Sequence, residues 1–169
     1  MSGSYRIEAL GRQHQRDDFQ CGIDALDRYL KQQARQEADK HVAAPFVLVW
    51  GDNPSVLGYY TLSASSISAA DIAPELASKL PRYPQLPVTL IGRLAINARL
   101  KGQGRGAFLL VDALRRCFEH AASVAAVAVV VDAKDDNAAA FYRHFRFLAL
   151  QTDPRRLYLP MKTVAQLLK

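Results

Sequence analysis

The sequence predicts an α/β domain built around a mixed sheet, and two features of the chain lead to this fold class. An apolar strand at 87–97 runs into a glycine-rich turn that opens a helix at 104–121, and a second apolar strand follows at 127–133. Because a helix joins them in this order, the two strands are expected to be parallel neighbours. Apolar runs at 45–50 and 56–62, separated by Gly-Asp-Asn-Pro, predict an antiparallel hairpin.

The N-terminal part of the chain predicts one strand and one helix. Residues 5–10 alternate between polar and apolar side chains, which is typical of a half-buried strand. Asp24 can cap a helix that continues to Ala38, because Leu26, Leu30 and later small residues recur at helical spacing.

Shorter elements are predicted in the middle and at the end of the chain. The Ser/Ala-rich segment 63–79 is expected to contain a short helix, and three prolines stiffen an extended loop at 81–87. After the second apolar strand, the chain is predicted to close with further helices and strands. They are a helix at 136–145, strands at 146–150 and 156–161, and a short amphipathic tail at 162–168.

Length and composition fit one domain over residues 1–169, long enough to bury a core. No apolar run approaches a membrane-spanning length, and no export signal is visible at the N-terminus. Cys21 and Cys117 lie far apart and without histidines at metal spacing, so that neither a disulfide nor a metal site is predicted. Both cysteines are expected to be structural, and a reducing cytoplasm is the expected compartment.

The net charge of +6 is unevenly distributed. Residues 85–169 carry 13 Lys and Arg against 6 Asp and Glu, whereas residues 1–84 carry 9 against 10. This surplus favours a polyanionic substrate, with Arg93 and Arg99 as candidate contacts. The alternative is that these arginines are solvated surface residues that keep the protein soluble.

The glycine-rich turn, Lys101 to Ala107, is a candidate anion cradle. Its glycines at 102, 104 and 106 allow the backbone to turn so that successive N–H groups and the helix N-terminus face one phosphate. No Gly-Lys-Ser/Thr follows, which excludes a P-loop, and no acidic residue lies about 20 positions later, where a dinucleotide-binding fold needs one. An ordinary strand-to-helix connection remains the alternative.

Together with the second apolar strand and the segment 135–147, the turn resembles the cofactor-binding core of the GNAT N-acetyltransferases. The resemblance implies a GNAT fold in which the turn holds the pyrophosphate of acetyl-CoA. It also implies that the strand before the turn contacts the pantetheine arm. The cofactor contacts implied in this way are Leu94, Ala95, Ile96, Lys101, Gly102, Gln103, Gly104, Arg105, Gly106, Ala107, Asp135 and Ala138.

Motifs along nearly the whole chain resemble the GNAT toxins of type II toxin–antitoxin modules. They are Phe19-x-Cys21-Gly22-x-Asp24-x-Leu26-Asp27-x-Tyr29-Leu30, Gly58-Tyr59-Tyr60-Thr61-Leu62-Ser63, Leu80-Pro81-Arg82-Tyr83-Pro84, Gly92-Arg93-Leu94-Ala95, Val131-Asp132-Ala133-Lys134-Asp135 and Leu159-Pro160-Met161-Lys162-Thr163. The resemblance implies acetylation of aminoacyl-tRNA, inhibition of translation, a cognate antitoxin and a homodimer.

The chain departs from the family pattern at two positions. Lys101 stands where the family usually has Gln or Arg, although an overlapping register that starts at Arg99 also fits the pattern. Arg146 stands where the family usually has Gly. If that Gly serves a left-handed turn, Arg146 either reaches the turn in a different way or adopts it at a cost of about 1 kcal/mol or more.

Acetyl transfer from a thioester needs a neutral amine and a proton for the departing thiolate. Tyr142 is the candidate donor, because a phenol with a pKa of about 10 stays protonated at neutral pH, above a thiol at about 8.5. Packing in the core is the alternative role for this residue, and the resemblance to the family favours catalysis.

No general base is evident, although Asp132, Asp135 and Glu75 remain open as bases acting through water. An α-amine with a pKa of about 7.7–8.0 needs less help than a lysine amine at about 10.4. Together with the arginine surplus, this favours the α-amine of aminoacyl-tRNA as acceptor. The alternatives are a small amine or a protein N-terminus, and a binding module without catalysis.

Overall fold

The computed structural model describes residues 3–169, which form an α/β fold around a seven-stranded mixed sheet. The strand order is β1-β2-β3-β4-β5-β7-β6. The strands are β1 (Tyr5–Ala9), β2 (Ala44–Trp50), β3 (Asn53–Ser68), β4 (Gln85–Ile96), β5 (Ala128–Asp132), β6 (Leu148–Leu150) and β7 (Asp153–Pro160). The helices are α1 (Asp24–Gln32), α2 (Ala34–Asp39), α3 (Pro74–Ala77), α4 (Arg105–His120), α5 (Asp136–His144) and α6 (Met161–Leu167), with 3-10 turns at Ala69–Asp71 and Ala98–Leu100. Over the described residues, each helix is too short or too polar to traverse a lipid bilayer.

The chain divides into two compact units, of which the first runs up to Ser63 and includes Gly92–Ala113. Here β2 pairs antiparallel with both β1 and β3, so that the predicted strand and hairpin are confirmed. The neighbouring residues Tyr59 and Tyr60 point to opposite faces of β3, as adjacent residues in a strand do. Tyr59 donates a hydrogen bond to the carbonyl of Leu26 in α1, and Tyr60 donates one to Asp112 in α4. Helices α1 and α4 therefore cover opposite faces of β3.

The second unit comprises Ala64–Ile91 and Leu114–Lys169. The parallel ladder between β4 and β5, from Val88↔Ala128 to Ile91↔Val131, confirms the parallel connection predicted from the sequence. Strand β7 pairs antiparallel with β5 and with β6. The core of this unit is apolar, and the hydroxyl of Tyr158 accepts a hydrogen bond from the Ala73 N–H at 3.1 Å.

Several predicted boundaries were wrong. The helix expected over 24–38 is interrupted at Gln33, because the guanidinium of Arg16 binds the Leu30 carbonyl at 2.8 Å. In a continuous helix that carbonyl accepts the N–H of Ala34. The short helix expected within 63–79 is present as α3, but the segment begins as strand, because β3 runs to Ser68 and not to the predicted end at residue 62. The last two strands start two or three residues away from the predicted positions and are joined by a tight turn at 151–152.

The turn after α5 places a non-glycine residue in the left-handed region. Arg146 has φ 74°, its N–H binds the Arg143 carbonyl, and the Phe147 N–H binds the Tyr142 carbonyl. This pair of hydrogen bonds is the Schellman motif, whose left-handed position favours glycine. The left-handed turn considered in the sequence analysis is therefore present, and Arg146 occupies it.

We expect Arg146→Gly to stabilise the fold by about 0.5–1 kcal/mol, because relief of the left-handed strain exceeds the added freedom of the unfolded chain. In thermal unfolding this corresponds to a rise in Tm of about 1–4 °C. Arg146→Ala is the matched control, since it removes the same side chain but keeps the Cβ. Equal Tm values for the two variants would contradict the explanation.

Candidate active site

The glycine turn of the first unit has the geometry of an anion cradle. Gly102 has φ 81° and Gly104 has φ 76°, so both positions require the left-handed backbone that glycine allows. A Cβ placed on either glycine meets no atom within 4 Å among the described residues, so the space beside the turn is open to a ligand. Helix α4 begins at Arg105, and its first N–H groups have no acceptor within the helix. These features fit a phosphate group of acetyl-CoA.

The two candidate cations of the turn are both exposed. Arg99 lies in the 3-10 turn after β4, where its N–H binds the side chain of Asn97 at 3.0 Å. Lys101 has extended backbone and directly precedes the first left-handed glycine. Neither side chain forms an ion pair within residues 3–169. The choice between the two overlapping registers therefore stays a prediction.

The segment predicted to contact the pantetheine arm, Leu94 to Ile96, forms the end of β4. Ala95 is buried in the core under α1, whereas Leu94 and Ile96 are half-buried. The parallel ladder of β4 covers four residue pairs and ends at Ile91, while the strand itself continues to Ile96.

The other predicted site residues of the first unit differ in what their side chains do. The Arg105 guanidinium carbon lies 4.1 Å from the centre of the Tyr5 ring, so this side chain packs against β1. Gln103 donates a hydrogen bond to the Arg99 carbonyl, and Gly106 and Ala107 form the first turn of α4. Contact of Arg105, Gly106 and Ala107 with a phosphate is therefore expected through their backbone N–H groups.

Tyr142 in the second unit is a buried phenol. Its residue is 6% exposed, and its ring contacts Phe141 and Phe147 at centroid distances of 5.3 and 5.4 Å. Burial, reinforced by the negative charge of Asp132, raises the pKa of Tyr142 above its usual value. Its hydroxyl forms no hydrogen bond with the described residues. The hydroxyl is therefore protonated at neutral pH and available to donate.

The two cofactor contacts predicted at the start of α5 bind each other. The Asp135 carboxylate accepts the Ala138 N–H at 2.8 Å and so caps the helix. Asp132 forms an ion pair with Arg156 at 3.2 Å. Of the three carboxylates left open as bases, two are thus engaged, and Glu75 is exposed in the first turn of α3. Within residues 3–169, no group of acidic, histidine or cysteine side chains is placed to hold a metal ion.

Arg93, predicted as a substrate contact from charge alone, lies over the ring of Tyr29 in α1 at 3.6 Å. This role of Tyr29 was not predicted from the sequence. Nor was the hydrogen bond of Tyr60 to Asp112 at 2.6 Å, which ties α4 to β3. From the sequence, a Tyr beside the apolar stripe of a helix indicates packing in the core. Only the structure shows that a cation lies over its ring.

Known proteins that are similar to this chain are acetyltransferases. Residues 10–147 match the acetyltransferase (GNAT) family. A tRNA-acetylating toxin of Mycobacterium tuberculosis is 35% identical over 89% of this chain and 88% of its own length. The structure of AtaT complexed with acetyl-methionyl-tRNAfMet has a TM-score of 0.91 and 27% identity, covering 98% of this chain and all of that one.

A third similar protein is a tyrosine-to-phenylalanine mutant of the toxin AtaT, bound to acetyl-CoA and to the C-terminus of the antitoxin AtaR. Its TM-score is 0.82 at 26% identity, and 97% of each chain is covered. The family match spans most of the chain, and the sheet and the glycine turn are those expected of this fold. The chain belongs to the acetyltransferase (GNAT) family.

Proposed function

We propose that this acetyltransferase transfers the acetyl group of acetyl-CoA to the α-amine of aminoacyl-tRNA and thereby blocks translation. The observation that carries the chemistry is the buried, protonated Tyr142 hydroxyl, which has no hydrogen-bond partner among the described residues. The substrate class is supported by the similar toxins, which are named for tRNA acetylation or bound to acetyl-methionyl-tRNA. The basic C-terminal half of the chain suits such a polyanion.

In this mechanism the glycine turn and the N-terminus of α4 bind the pyrophosphate of acetyl-CoA. The thioester supplies the activated acetyl group. As the neutral amine attacks the carbonyl carbon and the carbon–sulfur bond breaks, Tyr142 donates its proton to the sulfur. The amine loses its extra proton to water, because no unengaged buried carboxylate is present among the described residues. Water then returns a proton to Tyr142.

The remaining assignments follow from the same proposal. Residues 1–169 act as one GNAT domain and as a homodimer in the cytoplasm, where charged tRNA is found. A cognate antitoxin is the expected inhibitor, supported by the AtaT structure with the C-terminus of its antitoxin. The proposed site comprises Tyr142 as proton donor, the cofactor contacts predicted from the sequence, and Arg93 and Arg99 toward the RNA.

The proposal predicts that radiolabelled acetyl-CoA labels bulk charged tRNA and leaves uncharged tRNA unlabelled. Tyr142→Phe should lower kcat by about 10²–10⁴-fold, because it removes the proton donor. Tyr83→Phe, in an exposed loop, is the matched control and should keep full activity. Label on small amines or protein N-termini in place of charged tRNA would overturn the substrate class. Full activity of Tyr142→Phe would overturn the mechanism.

The cradle is tested by Gly104→Ala. We expect acetyl-CoA affinity to fall at least about tenfold, because a Cβ in the open space beside the turn displaces the ligand and strains the backbone. Gly51→Ala, at another left-handed glycine, imposes a similar strain in the hairpin turn and should leave the dissociation constant unchanged. Isothermal titration calorimetry of both variants decides the point, and equal dissociation constants would place the phosphate elsewhere.

The pH dependence of the rate should have a single rising limb. The rate is expected to increase as the substrate amine loses its proton, with a pKa of about 7.7–8.0 or lower in an ester. Because burial raises the pKa of Tyr142, its hydroxyl stays protonated, and no decrease of the rate is expected up to about pH 9. Initial rates, corrected for ester hydrolysis, measure this profile. A falling limb below pH 9 that is absent in Tyr142→Phe would contradict it.

A further inference from the structure

Arg93 is held in place by an aromatic ring. Its guanidinium carbon lies 3.6 Å from the centre of the Tyr29 ring, which is van der Waals contact. Strand β4 places Arg93 on the same face as Ala95, and Ala95 belongs to the core cluster that contains Tyr29. The side chain is half-buried, so the contact is part of the packing of α1 on the sheet.

Tyr29 is itself rigidly fixed. It is 2% exposed, and its hydroxyl donates a hydrogen bond to the Glu37 carboxylate in α2 at 2.7 Å. On the sheet side its ring stacks on Tyr59 at 6.1 Å with an interplanar angle of 18°. Tyr59 is anchored in turn by its hydrogen bond to the Leu26 carbonyl at 2.7 Å. The ring that carries Arg93 therefore has little freedom to move.

The hydrogen-bonding groups of Arg93 are not used by the part of the chain that the structure describes. No hydrogen bond or ion pair of its guanidinium is formed with any of residues 3–169. Arg93 contacts the ring through the flat face of its guanidinium, so the N–H groups at the guanidinium edge stay available. Two of these N–H groups can bind two oxygens of one phosphate in a bidentate arrangement. A half-buried, oriented and unpaired guanidinium is a preformed receptor for an anion. Most exposed arginines of the chain lack such a support.

We infer that Arg93, positioned by Tyr29, binds the phosphate of the terminal nucleotide of the charged tRNA. The inference rests on the proposed function and deepens it. Arg93 directly precedes the strand segment Leu94 to Ile96, which is assigned to the pantetheine arm. In aminoacyl-tRNA the reacting amine and this phosphate are attached to the same ribose, so an anion receptor beside that segment orients the amine. A small amine or a protein N-terminus carries no such phosphate, and Arg93 thereby contributes to specificity.

The test uses two minimal substrates with the amino acid that bulk tRNA labelling identifies: aminoacyl-adenosine and aminoacyl-adenosine 5′-phosphate. For the unmodified enzyme we expect kcat/KM to favour the phosphorylated substrate by about 10- to 100-fold, the effect of a charge-assisted hydrogen bond. In Arg93→Gln this preference should fall to near one, mainly through KM. Acetyl-CoA affinity, measured by calorimetry, should not change.

The positioning role is tested in the same assay. Tyr29→Phe keeps the ring and should keep the phosphate preference, whereas Tyr29→Leu removes the ring and should reduce it. Arg93→Lys, at a half-buried position, provides a second variant if Tyr29→Leu does not fold, and a partial loss is expected because the planar fork is gone. Arg28→Gln removes an exposed charge from the same helix as Tyr29 and should leave the preference unchanged.

The outcomes separate this inference from the proposed function. Acetylation of charged tRNA together with an undiminished phosphate preference in Arg93→Gln would overturn the role of Arg93 and leave the proposed function standing. A phosphate preference near one in the unmodified enzyme would do the same. Absence of any transfer to charged tRNA would overturn both.

Discussion

Strands β3 and β4 and helix α4 approach one another closely at Gly58, and the position of the glycine turn depends on this contact. A Cβ at this position would lie 2.8 Å from Ile96 Cδ1 and 3.0 Å from both the Ala95 carbonyl oxygen and Leu109 Cδ1. Only glycine lets β4 and α4 come this near to β3. One turn further along α4, the hydrogen bond of Tyr60 to Asp112 fixes the helix on the sheet. The N-terminus of α4 is thereby held at the end of β4, where the left-handed glycines turn the chain.

Local chemistry made the centre of this arrangement predictable from the sequence. The parallel pairing of β4 and β5 follows from local signals: glycines at the end of a strand, apolar periodicity and a single crossover helix. These signals do not depend on contacts between residues far apart in sequence. The interruption of the first helix at Gln33 was not predictable in this way, because it depends on Arg16, which lies 14 residues before the carbonyl it binds. The extension of β3 to Ser68 likewise overrides a Ser/Ala-rich composition that favours other structure.

The candidate site was predictable to the extent that its residues act alone. Tyr142 has a high pKa that burial raises further, so it could be predicted as a proton donor without knowledge of its neighbours. The role of Arg93 depends on Tyr29, and Tyr29 depends on Glu37 and Tyr59. These contacts join positions that are far apart in sequence, so no local sequence pattern predicts them. Charge counting identified Arg93 as a candidate without distinguishing it from arginines that have no support.

The proposed mechanism at Tyr142 and the supported cation at Arg93 have a common consequence. Asp132 and Asp135 are held by an ion pair and a helix cap, and the proposed mechanism leaves proton removal from the amine to water. An enzyme of this kind gains rate by orienting an amine that is already largely neutral, since correct placement lowers the barrier without proton transfer to the protein. A fixed guanidinium that binds the phosphate next to the acceptor ester supplies that placement. In the proposed mechanism, selectivity for a charged RNA and proton removal by water therefore both follow from the placement of the amine.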